Sequence, residues 1–188
     1  MIYVLVALKN ELGEHQLDES KYKVWYTGVG KVNATMFATL AAFQHDCEAI
    51  INFGTAGVLT DKELVGKLNK VSIVRQRDMD ARPQAPLGTT PFETTGLESL
   101  IKVAESGCVL STGDNFVMET PELESDLVDM EGYAIAKVAK HFGKPCLMLK
   151  YGSDMADENA AKEWEANQAK GAQLFVDYLA ELENTTDE

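Results

Sequence analysis

Several acidic residues of this sequence stand where short apolar runs end and the chain turns. Asp129 and Glu131 flank Met130 at the point where the run LVDME meets an apolar helix pattern, while Glu11 and Asp154 follow two other runs. Carboxylates at such positions can transfer protons or bind hydroxyl groups. Considered singly, Glu11 could equally be a solvated surface residue, and Asp154 could be a helix cap.

Two glycine-rich turns follow further apolar runs, GVG at residues 28–30 and GTAG at residues 54–57. A GVG turn at the start of a helix could bind phosphate through its backbone N–H groups. It lacks the third glycine of a dinucleotide fingerprint, however, and the sequence contains no GxxxxGK[ST] motif. A tight turn between strand and helix explains GVG better in isolation, and GTAG could reflect only a close approach of two backbone segments.

Composition limits the classes of function that are compatible with the chain. Its 188 residues, 45% of them hydrophobic and 25% charged, suit a single globular domain spanning residues 1–188. The formal net charge of -13 argues against a nucleic acid or an anionic membrane as a partner. The apolar N-terminal segment MIYVLVAL is short and lacks a basic region, so it predicts a buried strand rather than a signal peptide or membrane span.

The cysteines and histidines suggest no site of their own. Cys47, Cys108 and Cys146 are widely spaced and form no CxxC motif, which predicts reduced thiols in a cytoplasmic protein. No two of the three histidines are close in sequence, so neither a zinc site nor a Ser-His-Asp triad is supported. We therefore expect no metal and no other cofactor.

Short apolar runs that end in small or polar residues predict the strands of a sheet. These runs cover residues 2–8, 23–28, 49–57, 70–75, 108–114, 127–131 and 146–154. Helical patterns separate them, so we predict a three-layer α/β/α fold with a central, largely parallel or mixed sheet. Ligands of such folds bind beyond the carboxyl ends of the strands, where the acids and the glycine-rich turns would meet.

Three segments show the residue spacing of an amphipathic helix. The first apolar stripe comprises Val32, Met36, Leu40 and Phe43. The second comprises Ala134, Ile135, Val138, Ala139 and Phe142. The third, in the C-terminal segment, comprises Trp164, Gly171, Phe175, Tyr178 and Leu182. Residues 78–96 are rich in Pro, Gly and Thr and lack periodicity, which predicts a long irregular loop that serves as a lid or a contact surface.

Six segments, in order along nearly the whole chain, carry a likeness to a known family. They are VALKNELG, TGVGKVNA, INFGTAGV, STGDNFVM, VDMEGYAIAKVA and KYGSDMADE. Together they resemble the nucleoside phosphorylase family, and most closely its methylthioadenosine/S-adenosylhomocysteine nucleosidase branch. The resemblance implies the family fold and a small-molecule substrate, either a purine nucleoside or a 5′-substituted adenosine. It also implies hydrolysis of the bond between purine and ribose, through a transition state with oxocarbenium character.

The resemblance assigns the proton transfers to residues outside the Asp129–Glu131 pair. Glu11 matches the family's water-activating glutamate, and Asp154 matches the aspartate that donates a proton or a hydrogen bond to purine N7. Ser153 would orient Asp154. An acid in this role works best when burial raises its pKa toward neutrality, which the apolar run before Asp154 favours.

Other matched residues would hold the nucleoside in place. Glu131 matches the glutamate that binds the ribose 2′- and 3′-hydroxyls, and Met130 matches the methionine that packs against the sugar. Phe116 matches the aromatic residue that stacks on the base, with Val117 as a backbone contact. Thr55 keeps the hydroxyl of the family's usual serine. The remaining members of this predicted substrate-binding set are Ala56, Gly57, Asp129, Lys150 and, for an apolar 5′ pocket, Leu8 and Trp164.

The sequence departs from the family pattern at several positions. Asp129 stands where a second glutamate is usual, and we expect it chiefly to support Glu131. Lys150 replaces an arginine that often orients the water and the glutamate; lysine keeps the charge but loses the planar fork. Tyr133 stands where a small residue is common. The loop at 78–96 also differs, in a region that helps family members close the 5′ end of the pocket, partly across a dimer interface.

Two alternatives to a hydrolase remain open at this point. Phosphorolysis would need a phosphate site, normally built from several arginines; Arg75, Arg77 and Arg82 are close together in sequence, but none is near Glu11 or Gly28. A nucleoside-binding protein without turnover is the second alternative. Because the family forms dimers in this branch and hexamers among phosphorylases, we expect a homodimer or a higher homo-oligomer.

Overall fold

The computed structural model describes residues 1–186. Within them, one mixed sheet contains β1 (Ile2–Val6), β2 (Tyr22–Tyr26), β3 (Ala49–Val58), β4 (Leu68–Gln76), β5 (Ile101–Lys102), β6 (Cys108–Thr112), β7 (Leu127–Asp129) and β8 (Cys146–Asp154). The α-helices are α1 (Lys9–Leu12), α2 (Lys31–Ala42), α3 (Gly132–His141), α4 (Ala160–Asn167) and α5 (Ala172–Thr186). A short 3-10 helix covers Lys62–Leu64. Each strand expected from an apolar run is present; the two-residue β5 was not predicted.

The sheet combines parallel and antiparallel pairs and closes partly on itself. β1 lies between β2 and β3 and is parallel to both. β3 pairs in parallel with β8 and, at its carboxyl end, antiparallel with β7. β4 pairs antiparallel with β8 and in parallel with β6, which in turn pairs with β7. The strands β3, β8, β4, β6 and β7 therefore form a ring, which brings their polar ends together.

Helices cover the two faces of the sheet, which confirms the predicted three-layer α/β/α fold. Side chains of β1 alternate between the layers, so that Tyr3 and Leu5 pack with α2 and α3, while Val4 and Val6 pack with α5. On the α5 side, Phe175 is fully buried. This alternation is the normal result of successive strand side chains pointing to opposite faces.

Helix α2 forms where it was predicted, but its large apolar residues face outward. Val32 is 80% exposed and Phe43, which follows the helix, is 70% exposed, and Met36 and Leu40 are about half exposed. The buried face instead consists of small residues, namely Ala34, Ala38, Ala41 and Ala42. Small side chains let α2 approach α3 closely, so the stripe of large residues is left uncovered. By contrast, the predicted stripe on α3 is largely buried.

The C-terminal segment is two helices rather than one continuous helical face. α4 ends at Asn167 and α5 begins at Ala172, and Gly171 lies between them against Tyr151. A Cβ atom at Gly171 would come within 2.6 Å of the Tyr151 side chain, so the close approach requires glycine. Of the predicted face, Phe175 stacks on Phe53 at a ring-centroid distance of 4.3 Å. Leu182 is instead 40% exposed.

Residues 78–96 form the long irregular loop that their composition predicts, without helix or strand. The loop is tied to α3 by an ion pair between Glu93 and Lys137. No residue of 78–96 lines the cavity described below. Among residues 1–186, no helix is long and apolar enough to cross a membrane.

Candidate active site

A cavity lies at the carboxyl ends of the strands, where ligands of open α/β sheets bind. It is lined by every residue of the predicted site except Lys150: Leu8, Glu11, Thr55, Ala56, Gly57, Phe116, Val117, Asp129, Met130, Glu131, Ser153, Asp154 and Trp164. Ala7, Val29, Arg77, Asn115 and Val128 complete the lining. Residues far apart in sequence are thus gathered around one cavity with apolar walls and a few acids.

The Glu11 carboxylate is held by donors from two segments. It lies on the short helix α1 and is 4% exposed. Its Oε1 accepts hydrogen bonds from the Thr55 backbone N–H and from Thr55 Oγ1, each at 2.8 Å, and its Oε2 accepts from the Leu8 N–H at 2.9 Å. A Cβ atom at Gly54 would lie 3.2 Å from Glu11 Oε1. The close approach at the GTAG turn is therefore between the Gly54 backbone and this carboxylate, not between two backbone segments.

Asp154 ends strand β8 and is 3% exposed. Its Oδ2 accepts a hydrogen bond from Ser153 Oγ at 2.6 Å, and its Oδ1 accepts from the Ala156 N–H at 2.9 Å. Burial raises the pKa of Asp154 above its ordinary value, against the lowering effect of these two hydrogen bonds. Gly57 leaves room for it, since a Cβ there would come within 3.0 Å of Asp154 Oδ1.

Glu131 immediately precedes α3 and is 7% exposed. Its Oε1 accepts a hydrogen bond from the Gly30 N–H at 2.8 Å, so the GVG turn contacts this acid. Burial, reinforced by the nearby charge of Asp129, raises the pKa of Glu131 to about 7. The carboxylate is therefore poised to change its charge near neutral pH.

Lys150, predicted for the substrate-binding set, is not among the residues that line the cavity. Its Nζ donates to Asp129 Oδ2 at 2.8 Å, and both side chains are 1% exposed. Burial opposes the charged ammonium, but Asp129 and Glu131 outweigh it and raise the pKa of Lys150. Lysine supplies a compact ammonium here rather than the planar fork of an arginine.

Asp129 accepts hydrogen bonds from three donors, one of them a buried ammonium. Besides Lys150, its carboxylate accepts from Thr112 Oγ1 at 2.5 Å and from the Gly132 N–H, the first of α3, at 2.7 Å. Asp129 thereby fixes the start of the helix that follows Glu131. The support of Glu131 by Asp129 stays a prediction, and the start of α3 is where these contacts would provide it.

Aromatic and apolar residues form the remaining walls. The rings of Phe116 and Trp164 meet edge to face with centroids 6.3 Å apart. The Trp164 indole N–H donates to Thr55 Oγ1 at 3.0 Å. Leu8, which was predicted together with Trp164 for an apolar 5′ pocket, precedes α1 and lines the same cavity.

Arg77 lines the cavity but was missed as a site residue. It is 6% exposed, and its two terminal nitrogens donate to the backbone carbonyl oxygens of Ser111, Gly113, Asn115 and Asp129. These contacts fix the turn that carries Phe116. A lone arginine after a strand is usually a surface residue. The only sequence signal for the burial of Arg77 is the presence of acids and glycines near it.

The three arginines close in sequence do not gather around one site. Arg75 donates to the backbone oxygen of Glu124, and Arg82 forms exposed ion pairs with Asp80 and Glu122. Neither Arg75 nor Arg82 is among the residues that line the cavity.

Comparison with known sequences places these features in a family. The model of the phosphorylase superfamily matches residues 12–182. An aminodeoxyfutalosine nucleosidase of Helicobacter pylori is 30% identical over 181 residues, covering 85% of this chain and 78% of the relative. A 5′-methylthioadenosine/S-adenosylhomocysteine nucleosidase of Shewanella sediminis is 27% identical over 173 residues, covering 80% and 75% respectively.

Solved structures show the same fold. A futalosine hydrolase of Helicobacter pylori superimposes with a TM-score of 0.84 at 24% identity, covering 98% of this chain and 97% of the other. A 5′-methylthioadenosine/S-adenosylhomocysteine nucleosidase of the same organism, bound to butyl-thio-DADMe-Immucillin-A, gives 0.83 at 23% identity with the same coverage. With the sequence match over residues 12–182 and the shared fold, this chain belongs to the phosphorylase superfamily.

Proposed function

We propose that this protein is a purine nucleosidase, which hydrolyses the N-ribosidic bond of a purine nucleoside or a 5′-substituted adenosine. The observation that carries the proposal is that Glu11, Glu131 and Asp154 face one cavity in three different environments. Its sequence relatives are nucleosidases, which supports the same reaction class.

Glu11 is the proposed base that positions and deprotonates water. A carboxylate offers about four acceptor sites, and the donors from Leu8 and Thr55 occupy three of those of Glu11. The remaining site is available for a proton from water. Because the other contacts fix both oxygens, the water would meet a base that needs no reorientation.

Asp154 is the proposed acid that protonates N7 of the leaving purine. Burial keeps its pKa raised, so the proton is held more readily at working pH than by an exposed aspartate. Ser153 Oγ and the Ala156 N–H fix the carboxyl group, which directs the proton toward the cavity. Because the acid and the base face the same cavity, both could act on the same bound nucleoside, one as the purine leaves and the other as water attacks.

Glu131 is the proposed partner of the ribose 2′- and 3′-hydroxyls, with Met130 against the sugar. As a carboxylate it can accept from both hydroxyls, and charge-assisted hydrogen bonds of this kind are the strong ones. The negative charges of Glu11 and Glu131 would also stabilise positive charge that develops on the ribose ring. Phe116, 45% exposed, offers its ring to the purine.

Several contacts weigh against phosphate as the nucleophile. The N–H groups of Gly30 and Lys31, at the start of α2, donate to the carboxylates of Glu131 and Asp114 at 2.8 Å each. These are the groups that could otherwise have bound phosphate. Both terminal nitrogens of Arg77 donate hydrogen bonds to backbone oxygens. Carboxylates at these positions would repel a phosphate ion.

The decisive experiment measures free base and sugar product with and without inorganic phosphate. Wild-type protein should release base from 5′-methylthioadenosine, adenosine or inosine at a rate independent of phosphate, with free ribose or its 5′-substituted form as the other product. Glu11→Gln and Asp154→Asn should each lower kcat by about 10²–10⁴-fold, the usual contribution of a general base or acid. Matched controls are Glu14→Gln and Asp157→Asn, which change exposed acids nearby in sequence.

Two outcomes would overturn the proposal. Base release that requires phosphate and yields a sugar 1-phosphate would make the protein a phosphorylase. Nucleoside binding without any release of base, under all conditions tested, would make it a binding protein.

An apolar 5′ substituent fits the cavity better than a charged one. Leu8, Val29 and Trp164 line the cavity, and the titratable side chains around it are mostly acids. A 5′-phosphate would meet this negative potential, so nucleotides should be poor substrates compared with 5′-methylthioadenosine.

Cytoplasmic location stays a prediction from cysteine usage.

A homodimer or higher homo-oligomer is proposed through the apolar face of α2. Val32, Met36, Leu40 and Phe43 form this exposed face, and Val29 connects it to the cavity. A contiguous exposed apolar patch of this kind usually marks a protein interface. Light scattering should show at least twice the chain mass for wild-type protein and the monomer mass for Val32→Glu/Met36→Glu. A monomeric wild type would disprove it.

A further inference from the structure

We infer that Trp164 is a positioning residue for the catalytic base, which it orients through the hydroxyl group of Thr55. The inference rests on the proposed function and extends it, because Trp164 was assigned only to an apolar wall. Its indole N–H lies 3.0 Å from Thr55 Oγ1, and that oxygen lies 2.8 Å from Glu11 Oε1.

The direction of this chain of hydrogen bonds follows from the chemistry of its members. An indole nitrogen can only donate, so Thr55 Oγ1 must be the acceptor from Trp164. A hydroxyl has one proton, and the ionised Glu11 carboxylate can only accept. The Thr55 proton therefore goes to Glu11 Oε1. With Trp164 in place, the hydroxyl keeps this orientation instead of rotating between alternative partners.

The same helix connects the base to the opposite side of the cavity. Trp164 lies on α4, whose Asn167 donates through Nδ2 to the backbone oxygen of Ser153 at 2.8 Å. Ser153 in turn donates to Asp154. The edge-to-face contact with Phe116 places the Trp164 ring beside the proposed base-stacking residue. Contacts of a bound nucleoside with the Trp164 ring would thus also hold the hydroxyl that orients Glu11.

The two roles of Trp164, orienting Glu11 through Thr55 and lining the cavity, can be tested separately. Trp164→Phe would keep an aromatic surface toward the cavity but would lose the N–H donor together with one of the two fused rings, and only the loss of the donor should depend on the Thr55 hydroxyl. Thr55→Val removes the hydroxyl with little change in shape, while the Thr55 backbone N–H still donates to Glu11 Oε1. Thr55→Ser keeps the hydroxyl. These variants test the chain of contacts one member at a time.

The experiment is a double-mutant cycle on the hydrolysis of 5′-methylthioadenosine. Trp164→Phe should lower kcat about fivefold to tenfold, the effect of one lost hydrogen bond, and change KM by less than about twofold. In the Thr55→Val background, Trp164→Phe should cause no further loss of kcat. In the Thr55→Ser background, the full loss should return. Trp25→Phe, which removes the other indole in the core between Tyr3 and Phe37, is the matched control and should keep wild-type kcat.

A second measurement does not depend on activity. In the Trp25→Phe background the Trp164 indole N–H gives a single NMR signal, and Thr55→Val should shift it upfield while Thr55→Ser leaves it nearly in place. A raised KM with unchanged kcat, or equal losses from Trp164→Phe with and without the Thr55 hydroxyl, would reduce Trp164 to a wall residue. Failure of wild-type protein to release base would instead defeat the proposed function itself.

Discussion

Asp129 and Glu131 stand two residues apart on either side of Met130, yet the fold treats their charges in opposite ways. The Asp129 side chain is 1% exposed and is bound to the ammonium of Lys150, to a hydroxyl and to a backbone N–H. Glu131 faces the same cavity but has the Gly30 N–H as its hydrogen-bond donor. One carboxylate is neutralised by a permanent cation, whereas the other is left with capacity to bind a ligand.

A cavity can therefore contain several acids without all of them being available to substrate. A buried charge that is matched by a buried countercharge serves structure, since removing either member leaves the other unpaired. A buried acid with few donors is destabilised as an anion, and the pKa of Glu131 rises to about 7 for that reason. Such an acid gains from hydroxyl groups that a substrate brings.

The largest effect should come from removing the cation beneath Asp129. Lys150→Met keeps the length and apolar stem of the side chain but leaves Asp129 as an uncompensated buried charge. We expect the free energy of unfolding, measured by urea denaturation, to fall by about 3–5 kcal/mol. Lys140→Met, on the exposed side of α3, should change it by less than about 0.5 kcal/mol.

Partial recovery in a double variant would establish that the cost is electrostatic. Asp129→Asn removes the charge left by Lys150→Met and keeps a side-chain oxygen for Thr112, so the pair Asp129→Asn/Lys150→Met should be more stable than Lys150→Met alone. If Lys150→Met costs no more than Lys140→Met, the contrast between the two acids is wrong.

Glu131→Gln should show the reverse pattern, a large loss of activity with little loss of stability. Glutamine retains the shape and one acceptor oxygen, but not the charge that strengthens hydrogen bonds to the ribose hydroxyls. We expect kcat/KM for 5′-methylthioadenosine to fall about 100-fold, or about 3 kcal/mol. The free energy of unfolding should not fall, because no countercharge is left unpaired and a buried anion is removed.

Glu119→Gln, an exposed acid in the segment after Phe116, provides the control for Glu131→Gln. Its kcat/KM should equal that of wild-type protein. A stability loss at position 131 as large as that of Lys150→Met would show that Glu131 is a structural acid like Asp129.

The contrast between helices α2 and α3 shows where sequence patterns reach their limit. Both helices were predicted from apolar spacing, and both form. On α3 the large residues are buried, but on α2 alanines are buried and Val32 and Phe43 are exposed. The spacing of apolar residues identifies a helix, but it does not show which face of the helix packs against a neighbour. That face depends on how closely the two helices approach each other.

A site residue could be predicted from the sequence where its position depends only on its own segment of the chain. Glu11, Glu131 and Asp154 end or follow apolar runs, so their approach to one cavity follows from the strand ends. The Lys150–Asp129 pair could not be foreseen, because the two strands that carry these residues do not pair directly and both flank β3. Arg77 was missed for a similar reason, because its partners are backbone oxygens of a turn that only the fold brings near.

Proton binding by Glu131 should drive ligand affinity and stability in opposite directions. We expect binding of 5′-methylthioadenosine to Asp154→Asn, followed by calorimetry, to weaken as pH falls below about 7, by up to tenfold per pH unit. The Asp154→Asn background removes the other acid whose pKa is raised, and it slows turnover during the measurement. Stability changes the other way, because the folded state binds this proton more tightly than the unfolded chain does. Between about pH 7 and the ordinary glutamate pKa, the Glu131 contribution to the free energy of unfolding therefore increases as pH falls. Glu131→Gln/Asp154→Asn should lose both dependences, and an affinity that is flat with pH in Asp154→Asn would show that Glu131 does not bind substrate as an anion.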